Sequence, residues 1–147
     1  MRCSNKDYTY AILRGKKDKP SVIECQTINF PKGYSRAQCL KWMLQEIEDL
    51  LNKNKILRIA IKSFEGRSRG KTFEIRVEHE AAIYIASANC GIKKVSKKVK
   101  GTIAKDLGLK GRAKYLETTL DTSLIDNYDK LNDKEKDAIL AGWSELY

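Results

Sequence analysis

The feature that most constrains the fold is a short apolar run, Ile56 to Ile61, reached from a β-hairpin through an amphipathic helix. A chain that leaves a sheet as a helix and returns as a new strand makes a crossover, and a crossover sets the new strand parallel to one already present. Antiparallel pairing before the helix and parallel pairing after it predict an α/β domain with a mixed sheet covered by helices.

The hairpin is read from Tyr8 to Leu13, rich in aromatic and β-branched residues, a turn through Gly15 to Pro20, and a second strand from Ser21 to Phe30. Only Met1-Arg2-Cys3-Ser4 precede a turn at Asn5-Lys6-Asp7, so the first strand has to be very short. Ser35 with Gln38 three residues later is a capping-box start, and Leu40, Met43, Leu44, Ile47, Leu50 and Leu51 recur at helical spacing through Asn52. Thr72 is expected to cap a second helix whose stripe Phe73, Val77, Ala81, Tyr84 and Ala88 faces the sheet, with His79 on its flank and Asn89 and Gly91 as the stop. Ile92 to Val99 predicts a fifth strand, and a short helix is expected near Thr102 to Leu107. Asn132 with Glu135 opens a last helix carrying Ile139, Trp143 and Leu146 inward.

At 147 residues, 41% apolar and 33% charged, the chain is expected to form one globular domain spanning residues 1–147. Its net charge of +10 is segregated. Residues 91–114 hold nine Lys/Arg against Asp106 alone, whereas residues 117–147 hold eight acids against three Lys. A segregated basic surface concentrates anions and favours phosphate backbones, and DNA, RNA and an acidic protein all remain open as partners. Cys3, Cys25, Cys39 and Cys90 form no C-x-x-C pair and His79 is the sole histidine, which excludes the clustered ligands of a zinc site and argues against histidine catalysis. No leader or membrane-spanning run is visible, so a cytoplasmic protein with reduced thiols and no membrane partner is expected.

Lys62 ends the apolar strand, where open α/β sheets line a ligand crevice. The loop Gly66-Arg67-Ser68-Arg69-Gly70-Lys71 then runs into a helix N-terminus, whose free N–H groups favour an anion. Its two glycines are too close for a Walker-type phosphate loop. Tyr8, Tyr10, Tyr34, Tyr84, Tyr115 and Tyr128 include candidate base-stacking platforms, although aromatic residues in strands and helices are more often core.

The order of hairpin, third strand, helix, strand, helix, strand and acidic final helix resembles the RNase H-like fold, and in particular its RuvC-like resolvase branch. The resemblance implies a mixed five-stranded sheet flanked by helices. It also implies carboxylates on the first strand, at the end of the fourth and opening the final helix, which hold two divalent cations about 4 Å apart. Asp137-Ala138 is similar to the family's last Asp-Ala, and Asp133 lies one turn earlier; both are also acids that a helix dipole favours in a first turn. Lys62 stands where a glutamate is implied, Glu65 follows in the loop, and the first strand offers no acid, Asp7 falling in the turn. A lysine ammonium there opposes bound cations. A looser likeness links the chain to a small bacterial family of unknown function that shares the Ile-Lys strand end, a downstream Gly-Lys, the Glu80 to Ile83 stretch and Thr102-Ile103.

The reading expected from these residues is a nucleic-acid-binding RNase H-like domain without the usual two-metal site or any cofactor. Lys62, Arg67, Arg69, Lys71, Lys97, Lys98 and Lys100 would meet the nucleic acid. The alternative is a divergent Mg²⁺- or Mn²⁺-dependent nuclease, similar to a Holliday-junction resolvase, with Glu65, Asp133 and Asp137 as catalytic acids, Asp133 and Asp137 on the metal, and Glu24 or Asp7 as further ligands. A third reading is an interaction or decoy module for an acidic protein.

Overall fold

The computed structural model describes residues 1–66, 70–110 and 116–147. Three strands form an antiparallel sheet in the order β1 (Arg2–Cys3), β2 (Asp7–Lys16), β3 (Lys19–Asn29), and two form a parallel pair, β4 (Arg58–Lys62) and β5 (Lys94–Lys98). The hairpin turn is tighter than expected, with Lys16 opposite Lys19, and a bulge falls between Ile12 and Leu13. The expected single five-stranded sheet is therefore recorded as two sheets. They meet at Met1, whose N–H donates to the Ala60 carbonyl at 2.7 Å and whose carbonyl accepts from the Lys62 N–H at 2.8 Å. Bonds from one residue to the neighbours on either side of Ile61 are the slanted pattern of parallel strands.

The first helix, α1 (Arg36–Asn54), starts where its capping box requires: the Ser35 hydroxyl accepts from the Gln38 N–H and the Gln38 side chain returns to the Ser35 N–H. It ends on Lys55 in the left-handed region (φ 51°). The second helix, α2 (Lys71–Asn89), is capped by Gly70 with no side-chain cap, which places Thr72 inside its first turn rather than at its cap. Short α3 (Lys100–Asp106) and α4 (Leu116–Thr119) follow. Asn132 opens α5 (Asp133–Trp143) with the capping box read from the sequence.

Alternation along the strands sends residues to two cores. Tyr8, Tyr10, Ile12, Ile59 and Ile61 pack with Met43, Ile47 and Leu51 of α1 and Ile83 and Ala86 of α2. Ala11, Leu13, Val22 and Ala60 pack with Ile139, Leu140 and Trp143 of α5 and Ile103 of α3. The helices thus lie on both faces. α5 approaches β2 so closely that a Cβ on Gly142 would stand 2.7 Å from Leu13 Cδ1, and the leucine side chain would have to shift to admit it.

The buried face of α2 is not the predicted one. Arg76, His79, Glu80, Ile83, Ala86 and Ser87 point inward, whereas Phe73, Val77, Ala81, Tyr84 and Ala88 lie outward. Both sets have helical spacing; small Ala and Ser suit the close contact with α1, and His79, Glu80 and Ser87 find partners. His79, expected on a flank, is 2% exposed, donates Nδ1–H to the Ser4 carbonyl at 2.9 Å and stacks on Phe30 at 4.3 Å. Burial holds its imidazole below the usual pKa, in the neutral form. No helix among the described residues is long and apolar enough to cross a membrane.

Candidate nucleic-acid interface

The carboxyl ends of β4 and β5 carry a dense layer of charge. Side-chain alternation turns Arg2, Lys62, Ser96 and Lys98 toward the α5 side, and Lys97 toward α2.

Lys98 is 4% exposed and surrounded by acceptors: Asp106 Oδ2 at 2.8 Å, Glu145 Oε1 at 2.7 Å, and the Ser144 hydroxyl and carbonyl at 2.9 and 3.3 Å. Glu145 also meets Lys94 and takes the Ser96 hydroxyl. Burial pushes the Glu145 carboxyl up, but the hydrogen bonds from Lys94, Lys98 and Ser96 overcome it and hold the group at about 2. Lys62, also 4% exposed, bonds Glu65 Oε1 at 2.5 Å and the Ser63 carbonyl at 2.8 Å. The same Glu65 oxygen accepts the Lys100 N–H at 2.6 Å, which ties the end of β4 to the first turn of α3. Against burial, these bonds hold the Glu65 carboxyl below its ordinary range.

The expectation that Lys98 meets phosphate directly is revised here, because its buried ammonium is already surrounded by four acceptors and has no donor to spare, whereas Lys62, equally buried, gives two of its three donors to Glu65 and Ser63. Lys97 is half exposed and pairs with buried Glu80 at 2.6 Å; Lys71 is exposed and Lys100 is half-buried. Arg67 and Arg69 lie outside the described residues. Tyr8, Tyr10 and Tyr128 are core residues, Tyr34 and Tyr84 face solvent, and Tyr115 lies outside the described residues.

The candidate acids are spread among bases. Asp137 Oδ2 lies 2.9 Å from Arg2 Nε; Asp133 is exposed at the start of α5; Glu65 is held by Lys62. Asp7 is the first residue of β2, is buried, and pairs with Lys134. Glu24 accepts from the Tyr10 hydroxyl and shares its face with Ile12, on the α1 side of the sheet and away from Asp137. Among the described residues no three His, Cys, Asp or Glu side chains converge as a metal site would require. The donor set as arranged does not fit a pair of divalent cations.

Two residues that sequence reasoning passed over complete the corner. Arg2 stands on the first strand, where the resemblance implies a carboxylate; alternation with buried Met1 and Cys3 was the signal that its side chain faces α5. Arg76 of α2 is 8% exposed, with its guanidinium 5.0 Å from the Phe64 ring. Neither a hydrogen bond nor an ion pair to Arg76 is found among the described residues, and its Nε is fully buried. Desolvating an ion costs several kcal/mol, of which a cation–π contact returns about 2. A cavity of about 610 Å³ lies elsewhere, at the opposite end of β4, between Tyr10 to Gly15 and Leu57 to Ala60.

With that geometry in place, comparison with solved structures gives consistent neighbours. Thermus thermophilus RuvC in complex with a Holliday junction substrate superposes with a TM-score of 0.80 at 11% identity, over 97% of this chain and 88% of that one. The chain has the RuvC-like, RNase H-like fold. A second Thermus thermophilus RuvC structure gives 0.68 at 9% identity, over 91% of this chain and 82% of that one. The yeast mitochondrial Holliday junction resolvase Ydc2 gives 0.60 at 14% identity, over 95% and 73%. No family model and no curated protein sequence matches the chain. Identities this low carry the fold and leave the chemistry to the residues themselves.

Proposed function

We propose that this chain is a nucleic-acid-binding domain of the RuvC-like fold that works without the usual two-metal nuclease site. The observation that carries the reading is Arg2 on the first strand facing Asp137 at 2.9 Å, with Lys62 ending β4: bases stand at two positions where metal chemistry needs acids. The net charge of +10 and the outward lysines Lys71, Lys93, Lys97 and Lys105 supply the attraction to a polyanion. In this reading Met1 joins the two recorded sheets into one five-stranded layer, with the charged corner at its centre. Branched DNA is the substrate to test first, because the solved neighbours are Holliday-junction resolvases.

The test is fluorescence anisotropy on a four-way junction, a duplex and a single strand across a salt series. Affinity should fall by roughly 0.9 log units per phosphate contact for each log unit of salt, and Lys71, Lys97 and Lys100 changed together to Glu should weaken it at least tenfold. Binding that ignores salt and those changes would end the proposal.

A second reading, a Mg²⁺- or Mn²⁺-dependent resolvase, is supported by the likeness over 97% of the chain. It requires Asp137 to leave Arg2 and Glu65 to leave Lys62 before either reaches a metal. Micromolar Mn²⁺ affinity with junction cleavage, both lost in Asp137→Asn, would replace the first reading by this one.

A further inference from the structure

Arg76 is the outlier of the charged corner. Every other buried cation or acid there has a counter-charge: Lys98 has Asp106 and Glu145, Lys62 has Glu65, and Glu80 has Lys97. Arg76 is more than nine-tenths buried, yet among the described residues no acid lies within ion-pairing distance of it and its Nε makes no hydrogen bond. Arg2 is only partly satisfied, since its buried Nε and Nη1 make no hydrogen bond even though Nε faces Asp137.

The two arginines feel each other. Burial lowers the Arg76 pKa first and the Arg2 charge lowers it next, while Glu80, Cys3 and Asp137 act in the opposite direction. Helix α2 packs against β1, and the Arg76 guanidinium lies over Phe64 just beyond the end of β4, so the two arginines occupy one corner at the ends of β1 and β4. With Glu80 and Glu65 engaged by their lysines, the acid left between them is Asp137. The corner holds one positive charge in excess, and its Phe64 wall and the Arg2 side chain, 21% exposed, lie at the surface.

We propose that Arg76, with Arg2, is the binding site for a single backbone phosphodiester. The proposal rests on the nucleic-acid reading above and assigns the contact that reading leaves open. A phosphodiester carries one negative charge, which matches the excess. Its two non-bridging oxygens suit the planar fork of a guanidinium, and the surrounding lysines favour a polyanion over an isolated carboxylate. Arg76 is then paired in the complex and unpaired in the free protein, so the contact gains most where water is excluded.

The test uses the full chain as wild type, Arg76→Gln and Arg76→Met. Dimethyl phosphate is titrated against thermal unfolding, and affinity is measured on four-way junctions carrying one neutral methylphosphonate at successive positions. In phosphate-free buffer both variants should melt at or above the wild type, because each removes an uncompensated buried charge. Dimethyl phosphate should raise the wild-type melting temperature and leave the variants unmoved. One methylphosphonate position should cost the wild type about ten- to a hundredfold in affinity, while Arg76→Gln loses as much on unmodified DNA and becomes indifferent to that position.

Variants that melt well below the wild type and keep its response to every methylphosphonate would make Arg76 a structural residue and overturn the proposal. Should the wild type bind no nucleic acid yet respond to dimethyl phosphate through Arg76, the anion site stands and the nucleic-acid reading fails. No response to dimethyl phosphate and no positional coupling would remove the site, whatever the affinity for DNA.

Discussion

Lys98 and Arg76 are both cations buried near the ends of the central strands, yet one is enclosed by four acceptors and the other, among the described residues, is in contact with an aromatic ring and pairs with no acid. Lys98 binds β5 to α5 and to the end of α3, a structural duty that consumes every donor of its ammonium. Among the described residues the Arg76 guanidinium makes no hydrogen bond and no ion pair. The difference teaches that a buried charge is informative through its unpaired valence, since burial alone is shared by both.

The sharpest break of this comparison is Lys98→Ala. Removing one partner from a buried network leaves Glu145 and Asp106 facing each other across a lost charge, with an expected cost of about 3–5 kcal/mol. Urea midpoints for Lys98→Ala beside Arg76→Met measure it; similar losses in both would erase the distinction between a saturated and an unsaturated site.

Acid should dismantle the saturated side next. Glu145 has a folded pKa of about 2 against an ordinary 4.5, so its contribution is complete above 4.5 and is lost as pH falls from there toward 2. Glu145→Gln should flatten the stability profile in that window, and an unchanged profile would show that Lys98 and Lys94 are not its anchors.

The smallest effect sharpens the comparison with a neutral buried group. His79 has its folded pKa below the ordinary 6.5, so its contribution is full above 6.5 and declines as pH falls below it. His79→Gln should remove the slope between pH 7.5 and 5.5, read from denaturant midpoints; a slope that persists assigns it to another group.

Much of the fold was legible in the chain. Ser35 with Gln38 and Asn132 with Glu135 marked both capped helices, because a capping box satisfies local N–H groups with local side chains. The crossover from the hairpin to β4 followed from topology, and so did the position of Lys62 at the end of that strand. The inward face of α2 was not legible. Counting apolar letters selected Phe73, Val77 and Tyr84, whereas the face that fits against α1 and the strand ends carries Arg76, His79 and Glu80, whose burial depends on partners distant in sequence.

The sequence by itself determined the element order, the helix starts, the charge segregation and the basic residue at the end of β4, since each is set by local propensity, spacing or composition. Only the tertiary structure decided which cations are spent and which are spare. Lys98 meets Ser144 and Glu145 from 46 and 47 positions away, Arg2 meets Asp137 across nearly the whole chain, and Arg76 meets no such partner among the described residues. Ion pairing acts over a few ångströms in space and is blind to separation along the chain, so the valence left for a ligand emerges only when the strands and helices have been brought together.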